Sequence, residues 1–129
     1  MTSVAALVAG ALFVAMAVFQ AALALGAPFG EHVLGGRFAG TLPVRIRVFS
    51  GIAAVILLGA AVLILARAGL IRWPAGAAGI LAPASWVIAG FLALNTLGNL
   101  RSRSRLERTV FASITAVLAV LSAYVALFG

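Results

Sequence analysis

Four long apolar stretches, separated by three connections that carry arginines, constrain the fold of this chain more than any other feature. The stretches cover residues 4–25, 48–66, 75–97 and 110–128. Each is close to the roughly 20 residues that an α-helix needs to cross a hydrocarbon layer about 30 Å thick. The sequence therefore predicts an all-α membrane protein, folded as a bundle of four transmembrane helices.

The composition excludes an ordinary soluble fold. Hydrophobic residues make up 65% of the chain and charged residues only 9%, whereas soluble domains carry about 25% charged residues. The four spans and their connections account for residues 1–129, so we expect one integral membrane domain without a separate water-soluble catalytic or receptor domain. Cysteine is absent, which excludes disulfides, thiolate nucleophiles and cysteine metal sites.

The arginines predict how the bundle is oriented. Loop one (residues 26–47) and loop three (residues 99–109) carry seven arginines, and the second connection carries two. Cytoplasmic loops are enriched in positive charge, so we expect loops one and three inside and both termini outside. The net charge of +7 then faces anionic lipid headgroups, and no nucleic-acid partner is expected. Arginine in place of all lysine, with abundant alanine and glycine, favours a GC-rich bacterial genome and hence the bacterial plasma (inner) membrane.

Two helix starts can be anticipated from local sequence. The third helix can begin at Pro74 or at Pro83. Proline is tolerated in the first helical turn because the N–H groups there make no hydrogen bond within the helix. We favour a start near Pro83. Ser104 and Glu107 match a capping box for the fourth helix, in which each side chain bonds the other residue's backbone N–H.

Small residues predict which helix faces pack. They recur at helical spacing in three of the spans: Gly10, Ala17, Ala21 and Ala24; Gly51, Val55 and Gly59; Ala112, Ala116, Ala119 and Ala123. Such stripes let helix backbones approach closely inside a membrane. We expect them to form the bundle interior, or an interface with a second copy or another membrane protein.

Polar residues inside the spans are costly when they face lipid, so they indicate buried contacts. Gln20 shares a face with the small residues of the first helix, and Asn95 and Asn99 lie one turn apart on the third. We expect Gln20 and Asn95 to face each other near the loop-one side. One interpretation is a structural amide network between helices. The other is a ligand pocket, which Ser50 and Arg47 border and at whose mouth Glu31 and His32 lie.

Other candidate chemistry is sparse. Glu31 and His32 form the only carboxylate–imidazole pair and suit acid–base catalysis only if a pocket orients them; a solvated loop pair is the simpler interpretation, and we assign no catalytic residue. One histidine and two separated acids do not make a metal site, and we expect no cofactor. A further group of alternating residues is predicted to bind anionic headgroups: Arg101, Arg103 and Arg105.

Three classes of function remain open. The first is a small accessory protein that acts by helix packing in a larger membrane assembly, and the sequence favours it because packing stripes outnumber chemical groups. The second is a module that binds or transports a lipid or another amphiphile. The third is a membrane enzyme using Glu31 and His32. Multidrug transporters of four helices depend on a carboxylate in the first helix, where this chain has Gln20, so proton-coupled export is not expected.

Overall fold

The computed structural model describes all 129 residues and contains four long helices and no strand. They are α1 (Thr2–Ala24), α2 (Val44–Arg67), α3 (Leu81–Leu100) and α4 (Ala112–Phe128). Each helix, with the helical turns that precede α3 and α4, is long and apolar enough to cross a membrane. The prediction of an all-α, four-helix transmembrane bundle is confirmed.

The second helix begins earlier than the apolar stretch predicts. Its first residue is Val44, directly after Pro43, whose fixed φ suits the entry to a helix. Arg45 and Arg47 therefore lie in the first turn of α2 and not in loop one. The connection between α1 and α2, which we continue to call loop one, shortens to residues 25–43.

The third helix begins close to the favoured proline. Its first residue is Leu81, which places Pro83 in the first turn, where backbone N–H groups have no partner within the helix. The preceding segment, Ala75–Ile80, is a 3₁₀-helix rather than an irregular loop. The segment after Pro74 is thus helical but more tightly wound, and it leads directly into α3.

The fourth helix opens with a π-helical turn, Glu107–Phe111. The predicted capping box is half formed, because the Glu107 N–H donates to Ser104 Oγ at 3.4 Å. The Ser104 N–H donates instead to Ser102 Oγ at 3.0 Å. This leaves the Glu107 carboxylate free to bind elsewhere.

The helices are antiparallel to their chain neighbours and form two hairpins. Helix α1 packs chiefly against α2, and α3 packs chiefly against α4. Contacts between α1 and α4 join the two hairpins, and α2 contacts α3 and α4 less. Loops one and three meet at one end of the bundle, which we call the inner end. At the opposite end, Arg67 Nη2 donates to the Ala126 carbonyl at 2.8 Å and so caps α4.

The small-residue stripes pack only in part. Gly10 and Ala17 are buried in α1, and a methyl group at Gly10 would lie 3.6 Å from Leu65 of α2. For α2 the prediction of an interior face is wrong at two of the three positions. Val55 is 70% exposed, and nothing lies within 4 Å of a Cβ at Gly59. The apolar period of α2 is hard to read because nearly every position is apolar.

Two apolar clusters hold the bundle together. The larger one joins α1, α2, α3 and α4 toward the outer end; its buried members are Ala5, Ala6, Ala9, Phe13, Ala60, Ala61, Ile64, Leu92, Leu118 and Val125. The smaller one lies beneath loop one and consists of Leu23, Val33, Leu42 and Phe111. The Phe19 ring packs edge-on against Phe111, with centroids 5.0 Å apart. Loop one is therefore folded onto the bundle.

Candidate functional site

A cavity of about 600 Å³ lies between the two apolar clusters, at the place where α2 and α3 diverge. All four helices, the π-helical turn and loop one contribute to its lining. The volume falls within the range of roughly 300–1,000 Å³ typical of sites for small molecules. The cavity is therefore the leading candidate for a binding site.

The lining is largely apolar, and its mouth faces the membrane. Phe49 and Ile56 of α2 and Val87 and Phe91 of α3 line the cavity, and all four are more than half exposed on the bundle surface. Val87 precedes Asn99 by twelve positions in the sequence, which corresponds to about 18 Å along a helix. The opening is thus a tall slot between α2 and α3 that would meet lipid chains.

The polar lining residues lie toward the inner end of the cavity. Gln20 lies just before the last turn of α1, Asn95 and Asn99 are in the last two turns of α3, and Ser50 is in the second turn of α2. These are four of the seven residues that the sequence places around one pocket, and the structure brings all four to the same cavity. Their role in ligand binding stays a prediction.

The amides do not form the interhelical network that was the structural alternative. Asn95 Nδ2 donates to the Phe91 carbonyl of its own helix at 3.1 Å. The side chains of Gln20, Ser50 and Asn99 form no hydrogen bond within the chain.

The hydrogen bond that joins side chains of two different helices involves another pair of residues. Thr96 Oγ1 of α3 donates to Thr115 Oγ1 of α4 at 2.9 Å. The side chains of Gln20, Ser50 and Asn99 in the cavity lining are left free for another partner.

Glu107 is the one ionisable residue in the lining, and the sequence did not indicate this role. Its carboxylate accepts hydrogen bonds from the backbone amides of Leu34 at 3.1 Å and Gly35 at 2.9 Å. It also accepts one from Ser102 Oγ at 2.5 Å. The capping-box motif assigned this side chain to its own helix. The available signal was that Glu107 is the only acid outside loop one.

Loop one forms the inner wall of the cavity through Val33, Leu34 and Leu42. Leu34 has a φ of 50°, a left-handed conformation that costs a non-glycine residue about 1–2 kcal/mol. Together with Gly35 (φ 71°), it turns two backbone amides toward the Glu107 carboxylate. The contact with Glu107 offsets the backbone strain and fixes the wall.

A second contact fastens the same loop. Ser104 Oγ donates to the His32 carbonyl at 2.7 Å. Within the loop, the Gly30 N–H donates to the Gly40 carbonyl at 2.8 Å. A Cβ at Gly30 would overlap the carbonyl oxygens of Phe38 and Gly40. Glycine at position 30 is what allows the two arms of the loop to approach so closely.

Arg47 does not line the cavity. Its Nε donates to the Ala24 carbonyl at 3.0 Å and so caps the last turn of α1. Cations at a helix C-terminus are favourable because the terminal carbonyls carry partial negative charge. The earlier start of α2 accounts for this, since it places Arg47 beside α1 rather than in a flexible loop.

Glu31 and His32 also lie outside the cavity. Their side chains are 3.2 Å apart, at 68% and 47% exposure, on the surface of loop one. His32 and Arg105 border a shallow hollow at the inner end, together with Leu106 and Thr109. No group of three or more metal-binding side chains occurs in the structure.

The three arginines predicted to bind headgroups lie at this same end and are exposed: Arg101, Arg103 and Arg105. Comparison of the chain with protein-family models, curated proteins and solved structures finds no match. The site itself therefore carries the functional argument.

Proposed function

We propose that this protein binds a lipid or another amphiphile in the cavity between α2 and α3. The observation that carries the proposal is the division of one cavity into an apolar slot open to the membrane and a polar inner end. An amphiphile has the same division. Its chain would enter sideways between α2 and α3, and its head would reach Gln20, Ser50 and Asn99.

Hydrogen bonds at the polar end of the cavity would supply most of the free energy that favours the bound amphiphile over the same amphiphile in the membrane. An apolar chain gains little by moving from lipid to a protein cavity, since both surroundings are apolar. An unpaired polar group in such surroundings costs free energy, by about 1–3 kcal/mol in protein mutational data. A ligand head that satisfies Gln20, Ser50 and Asn99 would remove this cost.

The membrane setting is part of the proposal. We place the protein in a bacterial inner membrane because its basic residues are all arginine and alanine and glycine are abundant. The distribution of the arginines places loops one and three in the cytoplasm and both termini outside. The exposed side chains of Arg101, Arg103 and Arg105 then hold anionic headgroups at the inner interface. This surface is separate from the cavity, which has no arginine in its lining.

The other two hypotheses have less support. Glu31 and His32 are exposed and lie outside the cavity, and His32 borders only a shallow hollow, which gives the enzyme hypothesis little support. The accessory hypothesis rests on lipid-facing small residues such as Gly59 and Gly90, which have open space around them. These faces suit association with a second copy or another membrane protein, but they do not require it.

A cavity-filling variant tests the proposal. Ala53→Trp places a large side chain on the cavity lining, whereas Val55→Trp adds the same group to the lipid-facing side of the same helix. After purification in mild detergent, we expect mass spectrometry to find a bound amphiphile in the wild type and in Val55→Trp but not in Ala53→Trp. A stable protein partner in a preparation without any amphiphile would support the accessory role instead.

A further inference from the structure

The charges around the cavity point to one class of ligand head. Resting on the binding role above, we propose that the cavity selects an amphiphile with an uncharged head rich in hydroxyl or carbonyl groups, such as a monoacylglycerol, and rejects an anionic head. The sequence placed Arg47 at the border of the pocket, but the structure leaves this arginine outside the lining.

None of the nine arginines reaches the cavity lining. Arg47 is engaged with the Ala24 carbonyl. Arg108, next to the lining residue Glu107, directs Nη1 to the carbonyls of Ser102 and Arg103 at 3.0 and 2.8 Å. A phosphate or carboxylate placed in the cavity would therefore find no guanidinium to pair with.

The charge that is present has the wrong sign for an anion. Glu107 lines the cavity, and its hydrogen bonds to Leu34, Gly35 and Ser102 come from uncharged donors. No basic group lies within ion-pair distance of its carboxylate, since the one ion pair in the molecule joins His32 and Glu31. An anionic head at the inner end of the cavity would meet a like charge, and close contact between like charges disfavours binding.

The free polar groups also match an uncharged head. Gln20, Ser50 and Asn99 each offer both donors and acceptors, and none of them is used within the chain. A hydroxyl group likewise donates and accepts, so a glycerol head can satisfy all three. An ammonium group only donates and a carboxylate only accepts, and either would leave part of the polar lining unpaired.

Competition among three amphiphiles with matched chains tests this inference. Radiolabelled monoolein is bound to the purified protein in an uncharged detergent and displaced with unlabelled monoolein, oleyl phosphate or oleylamine. We expect monoolein to compete better than either charged compound, by roughly tenfold or more for the phosphate, as for a like-charge contact in a binding site.

Each outcome of the competition has a distinct meaning. Equal competition by oleyl phosphate would overturn the head-group selectivity and leave amphiphile binding intact. Stronger competition by oleylamine would also overturn it, because Glu107 would then act as a counter-ion. Absence of saturable monoolein binding, with binding of either charged compound, would overturn the selectivity alone. If none of the three binds saturably, the proposed function fails as well.

Variants locate the source of the selectivity. Glu107→Gln should raise the affinity for oleyl phosphate relative to monoolein, and Gln20→Glu, which adds a second acid to the lining, should lower it. Glu31→Gln removes the exposed acid outside the cavity and should leave the ratio of the affinities for oleyl phosphate and monoolein unchanged. Circular dichroism identifies any variant that fails to fold, and a ratio that stays constant in both folded lining variants would contradict the inference.

Discussion

The Glu107 carboxylate accepts a hydrogen bond from the backbone amide of Gly35, 2.9 Å away and 72 positions distant in the sequence. The contact joins the start of the fourth helix to the loop that connects the first two. Because Leu34 and Glu107 both line the cavity, this contact also shapes the inner wall of the proposed binding site.

Removal of the carboxylate should loosen loop one. Glu107→Ala eliminates hydrogen bonds to Leu34, Gly35 and Ser102, and a hydrogen bond to a charged group contributes about 1.5–3 kcal/mol. We expect a loss of stability of about 1–3 kcal/mol, since part of this site is open to solvent. Hydrogen exchange at the Leu34 and Gly35 amides should become faster.

Glu31→Ala is the matched control, because Glu31 is an exposed acid of loop one itself. It should leave the exchange of both amides and the melting temperature unchanged. Equal protection of Leu34 and Gly35 in Glu107→Ala would show that the wall is held by other contacts.

Gly30 should tolerate no side chain. In Gly30→Ala, the new Cβ would overlap the carbonyl oxygens of Phe38 and Gly40, and backbone atoms cannot move aside as a flexible side chain can. We expect a loss of about 1–3 kcal/mol from overpacking, measured by thermal unfolding in detergent. Gly76→Ala, which has open space around it, should change stability by less than about 0.5 kcal/mol; a similar loss in both variants would contradict the close approach at Gly30.

The sequence was sufficient for the number and approximate positions of the helices and for four polar residues that line the cavity: Gln20, Ser50, Asn95 and Asn99. Gln20 and Asn95 could be placed together because helical periodicity fixes a side chain's direction and the distance from a helix end fixes its depth in the bundle. Both arguments use only local regularity. The same arguments fail for the α2 stripe, where polar residues are too few to mark the outward face.

The contacts of Glu107 and Arg47 were beyond such reasoning. The Glu107 contact depends on a left-handed backbone conformation at Leu34, which the sequence does not predict because non-glycine residues rarely adopt it. The second depends on α2 beginning at Val44, several residues before the apolar stretch. Charged residues in the first turn of a membrane helix look like loop residues because helix hydrogen bonding, unlike apolar burial, continues into the headgroup region.

Orientation in the membrane can be tested by labelling single cysteines in this cysteine-free chain. Ala39→Cys is exposed in loop one, and Ser3→Cys is exposed near the N-terminus. The excess of arginine in loops one and three predicts that an impermeant thiol reagent on intact cells labels Ser3→Cys but not Ala39→Cys. Both cysteines should react after the cells are opened. If the reagent labels only Ala39→Cys on intact cells, the orientation is the opposite of the predicted one.

Asn95→Leu should separate ligand binding from stability. Asn95 lines the cavity, and its only side-chain hydrogen bond is to the Phe91 carbonyl of its own helix. The backbone hydrogen bonds of α3 remain when the side-chain amide is lost. We therefore expect the melting temperature of the unliganded bundle to change by no more than about 2–4 °C, as for a surface substitution worth less than about 0.5 kcal/mol.

Amphiphile retention should respond differently. Without the Asn95 amide, the inner end of the cavity loses a polar group beside Gln20 and Asn99, and we expect the bound amphiphile to be lost during purification. Leu94→Ala, a change at the neighbouring lipid-facing position, should retain it. A marked fall in the melting temperature with retention unchanged would mean that Asn95 supports the bundle rather than a ligand, since a group needed only for binding has no effect on the empty protein.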